Sequence, residues 1–299
     1  MTPKTEQLGF IGLGVMGEPM CRHLKKKSGA AVIAYDLVPE PLNRLQQFGV
    51  EAARSSADVI ARADIVFLSL PSGKQLKELC DGPQGLLAIT RAGQTVVDLG
   101  TSPVGLSREL AGKFAQKGVR YADAPVARTR QAAEDGTLAI TVGAQTDLFS
   151  RIEPLLRCFA SEVTHCGDVG TGQLLKILNN MVVVGTVVVL SEAAAIAESA
   201  GFDTRKLFET FTKGSADSFA LRNHGLKSVA AGAFPKRAFS TEYMLKDVTY
   251  ALQMAQEGGV AARSAENGRN LLSQALEEGW KDEYWPVISR IIARSTNKA

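Results

Sequence analysis

Between an apolar run and a helical segment stands GFIGLGVMGEPM, in which Gly12, Gly14 and Gly17 are spaced G-x-G-x-x-G. Gly12 allows a tight strand-to-helix turn, Gly14 lets the backbone approach a pyrophosphate, and Gly17 lets the helix pack close to the strand. The helix N-terminus beyond them offers N–H groups to an anion. Leu13, Val15 and Met16 complete the same loop. Nineteen residues past Gly17, Asp36 ends the next apolar run, where a carboxylate accepts hydrogen bonds from the hydroxyls of an adenosine ribose. A glycine triplet alone also describes a close-packed turn with no ligand. With strand, helix and Asp36 in register it predicts a dinucleotide site. Asp36 favours NAD, because a 2′-phosphate would meet its negative charge, while Arg44 or a loop residue leaves NADP open.

The rest of the first half repeats this texture. Residues 8–14, 30–36, 64–70 and 95–99 are short and apolar nearly throughout, as strands covered on both faces are. Segments of helical period (15–27, 39–48 and 103–117) lie between them, and further strands are expected at 119–126, 138–143 and 162–167. The alternation predicts a Rossmann-like, doubly wound α/β domain over residues 1–168. Ligands of such sheets bind beyond the carboxyl ends of the strands. That rule makes Leu70-Pro71-Ser72 and Gly100-Thr101-Ser102-Pro103 candidate cofactor loops as well as ordinary turns.

From residue 169 to 299 only helical patterns follow, so the second domain is expected to be all-α and joined by a long helix at about 172–200. That helix is apolar around most of its circumference and must be covered on nearly every side, which suggests a partner subunit. Its most apolar stretch, 177–191, is 15 residues long and contains Asn179 and Asn180. A membrane span needs about 20 apolar residues, so the expectation is a buried helix and no membrane.

On the opening turns of this helix, Lys176 and Asn180 stand four residues apart on one face, with Gln173 on a neighbouring row. Polar side chains on an apolar helix are costly unless they look into a polar cavity. A lysine whose pKa is pulled down from about 10.4 by burial and a nearby positive charge can deliver a proton to an oxygen as hydride reaches its carbon. Equally, Lys176 could reach solvent while Asn180 caps a neighbouring element.

Composition removes several other classes. With 34 basic and 31 acidic side chains the net charge is +3, too balanced and too evenly spread for a nucleic-acid groove. Cys21, Cys80, Cys158 and Cys166 form no C-x-x-C pair, and His23, His165 and His224 are scattered, so no metal is expected and the histidines read as structural. No G-x-S-x-G elbow is present. The start, MTPKTEQLGF, lacks a secretory pattern, and a cytoplasmic protein is expected.

Four segments in order, GFIGLGVMGEPM, DAPVARTRQAAEDGTLAI (123–140), GTGQLLKILNN (170–180) and FSTEYMLKDVTYAL (239–252), resemble the 3-hydroxyacid dehydrogenases. That family includes 3-hydroxyisobutyrate dehydrogenase and tartronate semialdehyde reductase. The resemblance spans nearly the whole chain. It implies an NAD(P)-dependent oxidoreductase with Lys176 as general acid/base and Asn180 as its substrate-orienting partner. It places Leu70, Pro71 and Thr101 at the nicotinamide half of the cofactor. Lys246, with Asp247 beside it, falls where the family's C-terminal domain meets cofactor and substrate. It also implies a homodimer or homotetramer built around the long helix.

One stretch departs from the family. After DAPV the family has Ser-Gly-Gly, which holds a substrate carboxylate; this chain has Ala127-Arg128-Thr129, followed by Arg130. The serine contact is missing, and a guanidinium offers a planar fork to oxyanions instead. Relatives that reduce sulfonated aldehydes, such as sulfolactaldehyde reductase, are similar in this loop. The substrate expected is therefore small and anionic, with a sulfonate, phosphonate or phosphate contacted by residues 127–129 together with Gln173, Asn180 and Lys246. Otherwise Arg128 faces solvent or pairs with Glu134 or Asp135. Two further readings remain open: a non-catalytic dinucleotide sensor, and a 6-phosphogluconate-type oxidative decarboxylase.

Overall fold

A computed structural model describes residues 6–236 and 238–296. The chain divides into two compact units, Met1–Lys176 and Ile177–Ala299. The division falls inside the long helix rather than at its start. Its first turn stays with the sheet because the Gln173 N–H donates to the Asp123 carboxylate at 2.8 Å.

The first unit holds the strands β1 (Gln7–Ile11), β2 (Ala31–Tyr35), β3 (Glu51–Ala52), β4 (Ile65–Leu68), β5 (Thr95–Asp98), β6 (Arg120–Asp123), β7 (Val126–Ala127), β8 (Leu138–Gly143) and β9 (Ala160–Gly167). Their spatial order is β3-β2-β1-β4-β5-β6-β8-β7, with β9 on β8. From β3 to β6 every pairing is parallel. The far end is mixed: β8 runs antiparallel to β6 and β7 but parallel to β9.

Helices α1 (Gly17–Ser28), α2 (Pro39–Gln46), α3 (Ser56–Arg62), α4 (Gly73–Cys80), α5 (Leu86–Ile89), α6 (Val104–Ala115), α7 (Arg130–Asp135) and α8 (Thr146–Leu156) connect the strands. Side-chain alternation divides the core into two layers. Phe10, Val32, Ile65, Phe67 and Val97 pack into one cluster, and Ile11, Ile33, Val66, Leu68 and Val96 into the other. Both faces of the central strands are thus dry, which is why these strands read as unbroken apolar runs.

The stretch 119–126, expected as one strand, is broken. It stops at Asp123 and resumes at Val126 against β8. Pro125 has no N–H to give a ladder, and the break turns the chain into the loop that begins with Ala127.

The long helix α9 (Thr171–Ser199) carries the chain from one unit to the other. In the second unit follow α10 (Thr204–Phe211), a π-helix (Leu221–Val229), α11 (Thr241–Glu257), α12 (Arg263–Glu277), a 3-10 turn (Trp285–Ile288) and α13 (Ser289–Thr296). No strand occurs beyond β9 among the described residues. Val184, Val187 and Val188 of α9 pack with Met244, Val248, Leu272 and Trp285. A Cβ on Gly268 would meet Val184 Cγ1 at 2.6 Å, so glycine there sets how closely α12 approaches α9.

Within the single chain α9 is covered on only part of its circumference, as the expectation of a partner subunit allows. Its 29 residues are long and apolar enough to cross a membrane, and only 39% of its most apolar stretch is buried. Leu175, Val182, Val189 and Ile196 recur every seven residues and are 44%, 61%, 63% and 69% exposed. One apolar stripe of α9 thus faces outward in the single chain, because the packed residues occupy its other rows.

Candidate functional site

The three glycines of the first loop differ in ways that match their expected roles. Gly12 has φ +94°, a left-handed conformation, and a Cβ there would meet Ser69 O at 2.3 Å. A Cβ on Gly17 would meet Gly12 O at 2.0 Å. Nothing lies within 4 Å of a Cβ on Gly14, so that backbone borders open space. No side chain caps the start of α1, where Glu18 N donates to Gly14 O at 3.1 Å. Leu13 is buried, while Val15 is exposed and Met16 half-buried.

At the tip of β2, Asp36 accepts hydrogen bonds from Leu13 N at 2.5 Å and Val38 N at 2.8 Å. Its carboxylate is thereby fixed beside the glycine loop. Arg44, the sequence candidate for a 2′-phosphate, instead donates from Nε and Nη2 to the two carboxylate oxygens of Glu18 at 2.6 and 2.7 Å. An open backbone at Gly14, an uncapped helix start and a held carboxylate fit a dinucleotide.

The loops after β4 and β5 lie side by side. A Cβ on Gly100 would meet Leu70 O at 2.9 Å, which brings Leu70 and Pro71 next to the segment carrying Thr101. Ser72 caps α4 by accepting from Lys74 N at 3.1 Å.

On α9, Gln173, Lys176 and Asn180 are all buried; Lys176 is 9% exposed and Asn180 5%. Gln173 does not sit as a substrate ligand would. Its Oε1 accepts from Ser102 N at 3.0 Å, and its Nε2 donates to Gly100 O at 2.8 Å and Asp98 Oδ2 at 3.4 Å. Both ends of the amide are committed to the loop after β5, which corrects the sequence expectation for this residue.

Asp98 also accepts from Gly100 N at 2.9 Å, Ser102 Oγ at 3.1 Å and Tyr121 OH at 3.4 Å. Asp123, its neighbour in register on β6, accepts from Gly170 N at 2.6 Å and Gln173 N at 2.8 Å. Burial is the main reason both carboxyls are pushed up, Asp98 to about 7 and Asp123 to about 6, against these bonds. Sequence reasoning missed the pair. The available signal was an acid ending each of two adjacent apolar strands, TVVD and RYAD.

In the second unit Asn180 Nδ2 donates to Asp247 Oδ2 at 2.6 Å, and Lys246 Nζ is paired with Asp247 Oδ1 at 2.9 Å. The Lys246 ammonium also lies 5.2 Å from the centre of the Tyr250 ring. The Asp247 carboxylate thus holds two expected site residues at once.

Arg128 has φ +83°, the left-handed region. Arg128 is exposed, as one of the expected alternatives had it, and its Nη1 donates to Thr137 O at 2.6 Å and Ser161 Oγ at 2.8 Å rather than to Glu134 or Asp135. Thr129 caps α7 through Ala132 N at 3.3 Å, and Arg130 is exposed. Ala127 pairs with Ala139 of β8. The histidines make local contacts: His23 with Glu134 O, His165 with Ala144 O, and His224 with Tyr284 OH.

Comparison with known proteins agrees with these features. Residues 7–167 match the NAD-binding domain of 6-phosphogluconate dehydrogenase, and residues 170–286 match the NAD-binding domain of NADP-dependent 3-hydroxyisobutyrate dehydrogenase. The chain is 34% identical over 257 residues to 2-(hydroxymethyl)glutarate dehydrogenase of Eubacterium barkeri, covering 86% of this chain and 85% of that one. It is 32% identical to mitochondrial 3-hydroxyisobutyrate dehydrogenase of Mus musculus, covering 88% and 78%. Among solved structures, 3-hydroxyisobutyrate dehydrogenase of Mycobacterium tuberculosis with L-serine superposes with a TM-score of 0.87 at 26% identity, over 97% of this chain and 99% of the other. The chain belongs to the 3-hydroxyacid dehydrogenase family and is an NAD(P)-dependent dehydrogenase acting on CH–OH.

Proposed function

We propose that the protein moves a hydride between NAD(P) and the carbinol carbon of a small anionic hydroxy compound, with Lys176 as general acid and base. One observation carries this reading: Lys176 and Asn180 are both buried, one turn apart, on a helix fastened at its start to the carboxyl ends of β5 and β6. A buried ammonium and amide on an apolar helix are costly unless they serve a polar partner. When bound, NAD(P) takes up or delivers the hydride. Gly12 to Gly17 would hold the pyrophosphate, Asp36 the adenosine ribose, and Leu70, Pro71, Thr101 and Lys246 the nicotinamide side. In oxidation Lys176 takes the hydroxyl proton as the carbonyl forms, and in reduction it returns that proton to the carbonyl oxygen. Asn180 orients the same oxygen.

Lys176→Ala should keep cofactor affinity and lose turnover by roughly 10²- to 10⁴-fold. The assay follows NADH absorbance with 3-hydroxyisobutyrate, 2-(hydroxymethyl)glutarate and their sulfonate and phosphonate analogues. Near-normal turnover in the variant would overturn the assignment. Asp36, with Arg44 held by Glu18, supports NAD over NADP.

For the anionic group we propose a sulfonate, phosphonate or phosphate, supported by Arg128 standing where the family has glycine and by the absence of the serine. A plain carboxylate is the second reading. It is favoured by the two bonds that already engage Arg128 Nη1 and by relatives named for carboxylate substrates. Arg128→Ala should weaken use of the sulfonate or phosphonate by about 30-fold and spare the carboxylate, as loss of a charge-assisted pair worth about 2 kcal/mol implies. Equal small effects on both would favour the second reading.

A homodimer or homotetramer is proposed from the outward stripe of α9, since apolar stripes of this length are rarely left in water. A cytoplasmic location is proposed with it, and four free cysteines fit a reducing compartment.

A further inference from the structure

We propose that Asp98 and Asp123 are positioning residues that act through Gln173 to fix the first turns of α9, and so the direction in which Lys176 points. The proposal rests on the role assigned to Lys176 above.

Two neighbouring strands end in buried carboxyls at the same register, Asp98 on β5 and Asp123 on β6. Each holds Gln173 by a different handle. Asp123 accepts from its backbone N–H, while Asp98 accepts from its side-chain amide at 3.4 Å. The same amide bonds Ser102 N and Gly100 O, and Asp98 closes the ring by holding Gly100 N and Ser102 Oγ. The loop containing Thr101 and the helix containing Lys176 are therefore joined through the Gln173 side chain.

The surroundings leave this turn little room. Thr141 Oγ1 donates to Gly172 O at 3.0 Å, and a Cβ on Gly172 would meet Thr141 O at 2.5 Å. A Cβ on Gly143 would meet Asp123 Oδ1 at 2.5 Å. Three residues along a helix turn the side-chain direction by roughly 300° and advance it by about 4.5 Å. Fixing both handles of Gln173 thus fixes the azimuth of Lys176.

Stability alone gives little reason for this arrangement. Burying carboxyls is expensive, and an apolar contact would anchor a helix at least as well. What a fully bonded polar network adds is a unique geometry, because each donor has one place to go.

The test uses the intact protein with Asp98→Asn and Gln173→Met. Hydrogen exchange should quicken by at least tenfold at 170–178 in both variants, with the strands β1 and β4 unchanged. With whichever hydroxy acid of the panel is used fastest, kcat should fall by tenfold or more, KM for NAD⁺ should change less than threefold, and the kcat–pH profile should shift. Placed on Lys176→Ala, neither substitution should lower turnover further. Unchanged exchange at 170–178, or losses that simply add to that of Lys176→Ala, would overturn the positioning role. A normal Lys176→Ala enzyme would instead overturn the lysine assignment, and the exchange result would still decide whether the carboxyls hold the turn. Should Asp98→Asn fail to fold, Gln173→Met and Ser102→Ala carry the same comparison.

Discussion

Asn180 donates to Asp247 across 2.6 Å, and the second oxygen of that carboxylate faces the Lys246 ammonium at 2.9 Å. Asp247 is 1% exposed, so its charge is compensated by these neighbours rather than by water. Asp247→Asn keeps the shape but sets an amide N–H against a cation or another amide. It should lower kcat by 10- to 100-fold and stability by about 1–3 kcal/mol, read by steady-state kinetics and urea unfolding. Turnover equal to wild type would show that the orientation of Asn180 does not depend on this carboxylate.

The glycine loop gives a second expectation. At Gly12 a side chain would have to adopt φ +94° with its Cβ 2.3 Å from Ser69 O. Gly12→Ala should cost more than about 2 kcal/mol in thermal or urea unfolding and abolish NAD binding by calorimetry. Gly14→Ala, whose Cβ meets no protein atom, should fold normally and lose affinity only. If both variants lost stability equally, the open space beside Gly14 would have no bearing on the ligand.

Cofactor choice is a third. Asp36→Ala removes the carboxylate proposed to accept from two ribose hydroxyls and should raise the KM for NAD⁺ by about 10- to 100-fold, with NADP⁺ unaffected or improved. Arg44→Ala should leave the NAD/NADP ratio where it was, because that guanidinium is held by Glu18. A large shift in the ratio on removing Arg44 would contradict this.

The buried carboxyls also predict an unusual pH dependence. Burial lifts Asp98 to about 7. Between about pH 4 and 7 the folded protein retains a proton that the unfolded chain has released, so the Asp98 contribution is fullest below pH 4 and declines as pH rises. The unfolding free energy of wild type relative to Asp98→Asn should fall with pH across that window, by up to about 1.4 kcal/mol per pH unit, and level off above it. His224, pushed down to about 4 by burial, has the opposite sign: its neutral form stabilises above about 6.5 and that contribution is lost as pH falls toward 4. Urea titrations of each variant against wild type at several pH values separate the two.

How much of this was legible in the sequence depends on range. The glycine spacing, Asp36 and the central strands were readable because each is a local pattern: Gly12, Gly14 and Gly17 lie within one turn, and β4 and β5 are buried on both faces. The Lys176–Asn180 pair was readable because helical periodicity places i and i+4 together. Gln173 was misread for the complementary reason. Its row on the helix was evident, but its partners, Asp98, Gly100 and Ser102, are more than seventy residues away in sequence. Separation along the chain also hid the link from Asn180 to Asp247, 67 residues apart, and the pairing of Arg128 with Ser161, 33 apart. The break at Pro125 was overlooked because 119–126 is apolar enough to pass for one strand.

Arg128 holds a left-handed backbone geometry that glycine adopts freely and that costs an ordinary residue about 1 kcal/mol. A glycine here would relieve that strain but would lose the two bonds from Arg128 to Thr137 O and Ser161 Oγ. The side chain thus anchors the backbone bend that its own Cβ disfavours, and the shape of this loop depends on a guanidinium rather than on conformational freedom.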